Sequence, residues 1–210
     1  MSTDTRLDFI ASLVPYCKTF ADVGCDHGRL CQLLLNNKKA EKVYACDVSE
    51  KCLQKAKRLL NKYENVEFIV SNGLDKVPKS EVVAICGMGA KTIVDIISRA
   101  EYKPYYVLGA QRNVPFLREY LSNNGFEIVQ DVMIKEDGKY YDVICAREGS
   151  CVLDETQLRQ GVFYKTPNPV LKEYLEQKIK TYSSYVFTEK NETEIKSAKE
   201  TLKWQNLHKL

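Results

Sequence analysis

The sequence predicts an α/β protein: a parallel sheet built from five strand–helix units, closed by an antiparallel hairpin and followed by a purely helical C-terminal extension. Three observations predict it. Short apolar runs alternate with amphipathic segments from about residue 20 to residue 121, the rhythm of a sheet covered by helices. That rhythm then gives way to two strand-like runs around Asp137-Gly138, a dipeptide that marks hairpins. Past residue 154 the strand signals cease.

The elements follow in order. Arg6 to Val14 carries apolar residues at 7, 10, 11 and 14, one face of a helix, and Pro15 ends it. Phe20 to Val23 reads as the first strand and stops at Gly24; a helix through Leu30, Leu33 and Leu34 then runs to Asn36-Asn37. Residues 43–47 form the second strand, and Ser49 is placed to cap a helix through Leu53, Ala56, Leu59 and Leu60. The third and fourth strands are 66–70 and 82–86. The fourth, Val-Val-Ala-Ile-Cys, is apolar throughout, which suits a strand covered on both faces. A helix from Ala90 to about Ala100, a strand at 105–108, and a helix opened by Pro115 and stopped at Gly125 complete the five units. The hairpin strands are 126–134 and 140–146. In the extension, Leu171, Leu175, Lys178, Ile179 and Tyr182, then Ile195, Ala198 and Leu202, predict two amphipathic helices. A break near Val186–Asn191 and a short connection make them an antiparallel, coiled-coil-like pair. The expected division is 1–154 for the sheet domain and 155–210 for the extension.

Composition bounds the function. With 210 residues, 44% hydrophobic and 28% charged, the chain fits one globular domain with an appendage. No apolar run approaches the roughly 18–20 residues that span a bilayer, and no basic-then-apolar leader opens the chain, so the expected location is cytoplasmic, with no membrane partner. The eight cysteines include no Cys-x-x-Cys pair, and His27 and His208 lie far apart, so no metal site and reduced cysteines are expected. Charges cancel over residues 1–154, while residues 155–210 hold 10 Lys+Arg against 7 Asp+Glu and supply the whole +3. A basic tail permits a nucleic-acid partner.

Ligands of open α/β sheets sit beyond the carboxyl ends of the strands. Here those ends are Gly24-Cys25-Asp26-His27-Gly28, Asp47-Val48, Asn72-Gly73-Leu74, Gly87-Met88-Gly89 and Gln111-Arg112-Asn113. Glycine loops beside an acid suit an adenosine-containing cofactor: Gly24 lets the backbone approach, Asp47 takes the ribose hydroxyls, and Asn72 meets the adenine edge. The first turn is not Gly-x-Gly-x-x-Gly, and Asp26 would repel a pyrophosphate. S-adenosylmethionine carries a sulfonium and an ammonium group, so the acidic turn favours it over a nicotinamide dinucleotide. Five units followed by an antiparallel hairpin is also the order of the Rossmann-like methyltransferase sheet.

Ala-Asp-Val-Gly-Cys-Asp-His-Gly (21–28), Asn-Gly-Leu (72–74), Gly-Met-Gly-Ala (87–90), Gln-Arg-Asn-Val (111–114), Leu-Arg-Glu-Tyr-Leu (117–121) and Glu-Asp-Gly-Lys-Tyr-Tyr (136–141) together resemble the bacterial tRNA adenine-22 N1-methyltransferases, the TrmK-like family. The resemblance implies a class I methyltransferase domain plus a coiled-coil-like extension that helps hold tRNA. It departs from the family pattern at Cys25, Ala90 and Arg112, the last in a loop near the active face.

On that reading, adenine N1 attacks the methyl group in line with no covalent enzyme intermediate, and S-adenosylhomocysteine leaves as product. Catalysis falls to Asp26, as electrostatic partner of the cationic product or acceptor of the N6 proton, and to His27, which orients the base. Asp26 could equally hold the cofactor's ammonium group. Gln111, Arg112 and Asn113 are placed to meet substrate. The tail's lysines (165, 172, 178, 180, 196, 199, 203, 209) and aromatics (Phe163, Tyr164, Tyr174, Tyr182, Tyr185, Trp204) could grip phosphates and stack bases. No oligomer is required. Three rival readings differ in class: a nucleophilic Cys86, an RNA-binding module without turnover, and a small-molecule methyltransferase.

Overall fold

The computed structural model describes residues 5–184 and 188–208. It opens with α1 (Thr5–Leu13), β1 (Cys17–Val23), α2 (Arg29–Asn36), β2 (Ala40–Asp47), α3 (Glu50–Leu60), β3 (Val66–Val70) and β4 (Val82–Met88). Then come α4 (Ala90–Ser98), β5 (Tyr105–Ala110), α5 (Val114–Asn123), β6 (Phe126–Glu136) and β7 (Lys139–Glu148). Three helices end the chain: α6 (Glu155–Gln160), α7 (Pro169–Ser183) and α8 (Glu189–Leu207). The seven strands form one sheet in the order β3-β2-β1-β4-β5-β7-β6. β1 to β5 are parallel, and β7 is antiparallel to both β5 and β6. This is the Rossmann-like sheet with an antiparallel edge that the sequence predicts.

Alternation along each strand builds a core on either face. Phe20, Val82, Ala84 and Val107 pack with the apolar stripes of α1, α2 and α3. Ala21, Val23, Val83, Ile85, Tyr106 and Leu108 pack with α4 and α5. β1 and β2 start three residues earlier than predicted, because Lys18, Thr19, Glu41 and Lys42 are polar yet pair in register from Cys17↔Ala40 onward. Backbone hydrogen bonding extends a strand where the apolar signal has stopped. The Asp-Gly hairpin forms as expected: Asp137 at φ 49° and Gly138 at φ 74° make the two-residue loop between β6 and β7, the left-handed pair that matches strand twist.

The extension forms an antiparallel helical pair. Lys178 pairs with Glu194 at 2.7 Å, and Gln205 accepts from the Asn168 N–H at 2.9 Å, so α8 runs back along α7. Met133 of β6, Leu171 and Leu175 of α7 and Ala198 of α8 form a third, smaller apolar cluster. The expected break reaching Asn191 is too long: Thr188 caps α8, its hydroxyl accepting from the Asn191 N–H, so the helix already starts at Glu189. Val186, Tyr185 and Phe187 lie outside the described residues, as does Lys209. The short α6 is not predicted; its six residues carry too few turns for a periodic signal, although Asp154 and Gln157 form a reciprocal capping box.

Candidate active site

The strand order reverses between β1 and β4, the topological switch point where α/β sheets receive ligands. A cavity of about 460 Å³ opens there. The β1 end supplies Asp22, Gly24, Cys25 and Asp26; the β4 end supplies Cys86 and Gly87. Gly24 has φ 77°, and a Cβ on it would collide with the Met88 methyl group. A β-bulge at Cys86–Met88 lifts Gly87 out of the ladder beside the cavity.

The most perturbed carboxylate here is one that the strand-end rule passed over. Asp22 is 5% exposed within β1 and faces the cavity. Its Oδ2 accepts from the Cys31 thiol of α2 at 3.3 Å. Burial pushes its pKa up to about 7; the Cys31 hydrogen bond opposes that rise and the Asp47 charge adds to it. The group found donating to it is a thiol, not a base, so a cation entering the cavity would supply the missing charge partner. The signal that could have found it is an acid inside the apolar run Phe20-Ala21-Asp22-Val23.

Asp47, at the end of β2, holds the glycine turn in place. Its Oδ2 accepts from the Asp26 N–H at 3.2 Å and its Oδ1 from the Ser49 N–H at 2.8 Å. Each oxygen keeps a lone pair for a hydroxyl. Asp26 adopts a left-handed φ of 45° and is exposed. Its Oδ2 lies 2.6 Å from His27 Nδ1, and Lys55 Nζ lies 4.0 Å from its Oδ1. Asp26 and His27 therefore form a surface-facing pair on the cavity rim.

The remaining expected site residues divide. Cys25 is buried in the α1–α3 core while also touching the cavity. Val48 and Asn72 are exposed at the neighbouring strand ends. Gly73 turns at φ 63° against Ile96, and Leu74 joins the α4–α5 core. Gly89 caps α4. Of the substrate candidates, Gln111 lines the cavity. Arg112 and Asn113 are exposed and serve helix ends: the Arg112 carbonyl accepts from the Ala90 N–H at 3.1 Å, and Asn113, at φ 59°, caps α5. Three residues complete the wall that sequence spacing could not assemble: Arg6 of α1, with Tyr141 and Asp142 of β7. The Arg6 guanidinium lies 4.5 Å over the Tyr141 ring, and its Nε is 3.4 Å from Glu136 Oε2.

Cys86 is a poor nucleophile in this setting. Burial pushes its thiol up to about 12, with the Asp22 charge adding to the rise, so almost no thiolate exists near neutral pH. Cys86→Ala is expected to keep turnover within about threefold of the parent rate, measured by steady-state kinetics. A variant that binds cofactor but never turns over would restore the thiolate.

The donor set fits a cationic adenosine cofactor. A buried acid with no basic partner among the described residues lines the cavity, a glycine turn permits close approach, and a second acid ends the neighbouring strand. Asp22, Gly24 and Asp47 would hold such a group. Among the described residues no group of three or more His, Cys, Asp or Glu side chains is arranged to bind a metal, and no helix is long and apolar enough to cross a membrane.

Comparison with known proteins agrees with this chemistry. The family model for a methyltransferase domain matches residues 3–144. A candidate tRNA methyltransferase of Mycoplasma pneumoniae is 34% identical over 146 residues, 66% of this chain and 68% of the relative. The tRNA (adenine(22)-N(1))-methyltransferase of Bacillus subtilis is 29% identical over 154 residues, 69% of this chain and 64% of the relative. Among solved structures, M. capricolum TrmK in complex with S-adenosyl-homocysteine superposes with a TM-score of 0.85 at 25% identity, covering 97% of this chain and 99% of that one. A Streptococcus pneumoniae protein, a candidate tRNA (m1A22) methyltransferase in complex with S-adenosyl-L-methionine, gives 0.86 at 25% identity, covering 95% and 99%.

Proposed function

Because the chain belongs to the methyltransferase-domain family, and within it to the TrmK-like tRNA methyltransferases, we propose that it methylates N1 of an adenine in tRNA, at position 22. The observation that carries this reading is Asp22: a buried carboxylate, set against a cavity at the switch point, whose hydrogen-bond partner among the described residues is a thiol. S-adenosylmethionine supplies an electrophilic methyl group beside such an acid when bound. Asp22 and the glycine turn hold its charged end, and Asp47 takes the ribose.

Adenine N1 has its own lone pair, so the chain need not activate a nucleophile. Its work is alignment and exclusion of water, which can account for much of the acceleration. Methylated adenine is cationic, and carboxylates on the cavity wall stabilise that charge as it develops. Asp26 and His27, on the rim, orient the entering base. Residues 155–210 form the RNA-binding extension, with exposed Lys165, Lys180, Lys196, Lys199 and Lys203 as its phosphate contacts. Lys178 and Tyr174 are excluded from that role. Lys178 is tied to Glu194, and the Tyr174 ring meets Tyr140 edge-on at 5.2 Å, so both hold the extension together.

The deciding experiment is transfer of a labelled methyl group from S-adenosylmethionine to total bacterial tRNA, followed by mapping of the modified base. Label at N1 of adenine 22 is the expected result. Label on proteins or metabolites, with none on tRNA, overturns the proposal.

A further inference from the structure

We infer that Asp142 is the specificity-determining residue on the acceptor side of the cavity, accepting a hydrogen bond from the exocyclic N6 amino group of the target adenine. This inference rests on the activity proposed above. Its first support is position. A second cavity, of about 320 Å³, lies between β6 and the extension, and Asp142 lines both it and the main cavity. From the second side Arg118 grips the carboxylate: Nη2 donates to Asp142 Oδ1 at 2.7 Å. Asp142 also lines the main cavity, where β7 runs beside β5.

The second support is charge. Arg118, 2% exposed, also donates from Nε and Nη2 to the two oxygens of Asp131 at 2.7 and 2.9 Å, and from Nη1 to the Leu158 carbonyl at 3.1 Å. Both carboxylates therefore bond to one guanidinium, with the Lys178 charge also acting on Asp142. Asp131 gains a further donor in the Val162 N–H at 2.7 Å, whereas no hydrogen bond to Asp142 Oδ2 is found among the described residues. Burial raises the Asp142 pKa and the Asp131 charge adds to that, against the pull of Arg118 and Lys178. A polar hydrogen from the main cavity would satisfy this carboxylate.

The third support is what adenine presents. N1 must keep its lone pair for the methyl group, and the amino group beside it is a donor. A carboxylate at N6 accepts that hydrogen without touching N1. After transfer the positive charge spreads over N1 and N6, so the same contact tightens as the reaction proceeds. Guanine places a carbonyl oxygen there, which a carboxylate repels. The Arg6–Tyr141 pair lines the same cavity, and a flat cation–ring pair is the kind of surface that takes an unstacked base. Of the other two carboxylates that line the cavity, Asp22 goes to the cofactor in the activity proposed above, and exposed Asp26 pairs with His27 on the rim.

The test uses tRNA carrying either adenosine or purine ribonucleoside, which lacks the amino group, at the target position. The parent enzyme is expected to prefer adenosine by about tenfold or more in kcat/KM, because a site built to pair a donor rejects an analogue without it. In Asp142→Asn that preference is expected to collapse to within about twofold, with S-adenosylmethionine affinity unchanged. Asp131→Asn is the control: it removes the same charge from the same Arg118 cluster but does not line the main cavity, so its preference for adenosine stays intact. A parent enzyme indifferent to the amino group overturns the inference without any variant. So does an Asp142→Asn protein that keeps the preference. An enzyme that leaves tRNA unmodified overturns the proposed activity and this inference together.

Discussion

Asp22→Asn is expected to raise the melting temperature of the ligand-free protein while weakening S-adenosylmethionine binding by about 100-fold, as when one partner of a buried charge pair is lost. The two effects have one cause. A carboxylate whose pKa rises from 3.8 to about 7 on folding disfavours the folded state once it is ionised. The stability tied to its proton is fully present below the unfolded value of 3.8 and is lost as pH rises through about 7. The cost above that pH is on the order of 4 kcal/mol. Asparagine removes it, and the groups facing Asp22 among the described residues, namely the Cys25, Cys31, Cys46 and Cys86 thiols and the Asp47 carboxylate, offer no cation in exchange. A cationic ligand does the opposite: it favours the ionised form, so parent affinity should climb up to about tenfold per pH unit below 7 and level off above. Thermal melts and calorimetric titrations at pH 6 and pH 8 check both halves. An Asn variant that melts lower, or binds the cofactor as tightly as the parent, refutes the assignment.

Arg118→Leu is expected to be the most destabilising single change in the molecule. It takes the guanidinium from buried Asp131 and half-buried Asp142 and strips the donor from the Leu158 carbonyl. Breaking such a pair costs about 3–5 kcal/mol, a fall of roughly 10 °C in melting temperature for a domain of this size. Arg118→Lys should recover little, since one ammonium cannot span the fork that reaches two carboxylates and a carbonyl. Because Leu158 and Val162 are bonded to this cluster from the extension, limited proteolysis should release the C-terminal helices before the sheet unfolds. A variant melting within about 2 °C of the parent would show that the cluster adds little net stability.

Much of the site could be read along the chain because a parallel sheet presents its ligand site at the carboxyl ends of its strands. Gly24, Asp26, Gly87 and Gln111 follow from that rule and line the cavity, and Asp47 follows from it and braces the turn. Arg112 and Asn113 also stand at a strand end, and there their backbones serve the start of α4 and the left-handed cap of α5. The rule falls short at Asp22, which lies one residue inside β1 and lines the cavity all the same. The helical extension announced itself by periodicity, but α6, with six residues, and the true start of α8 depended on capping side chains rather than on an apolar stripe.

The sequence by itself determined the order of strands and helices, the glycine turn with its acids, and the hairpin at Asp137-Gly138. Each is set by residues close together in the chain: alternation, a cap, a glycine that must turn. Only the tertiary structure decided which carboxylate is buried and which is exposed, and what completes the acceptor wall. Arg6 meets Tyr141 because α1 packs beside the far edge of the sheet, and Arg118 joins Asp131 to Asp142 because β6 and β7 pair antiparallel. Burial and charge pairing depend on groups that packing brings together across the whole fold, and local pattern carries no record of those meetings.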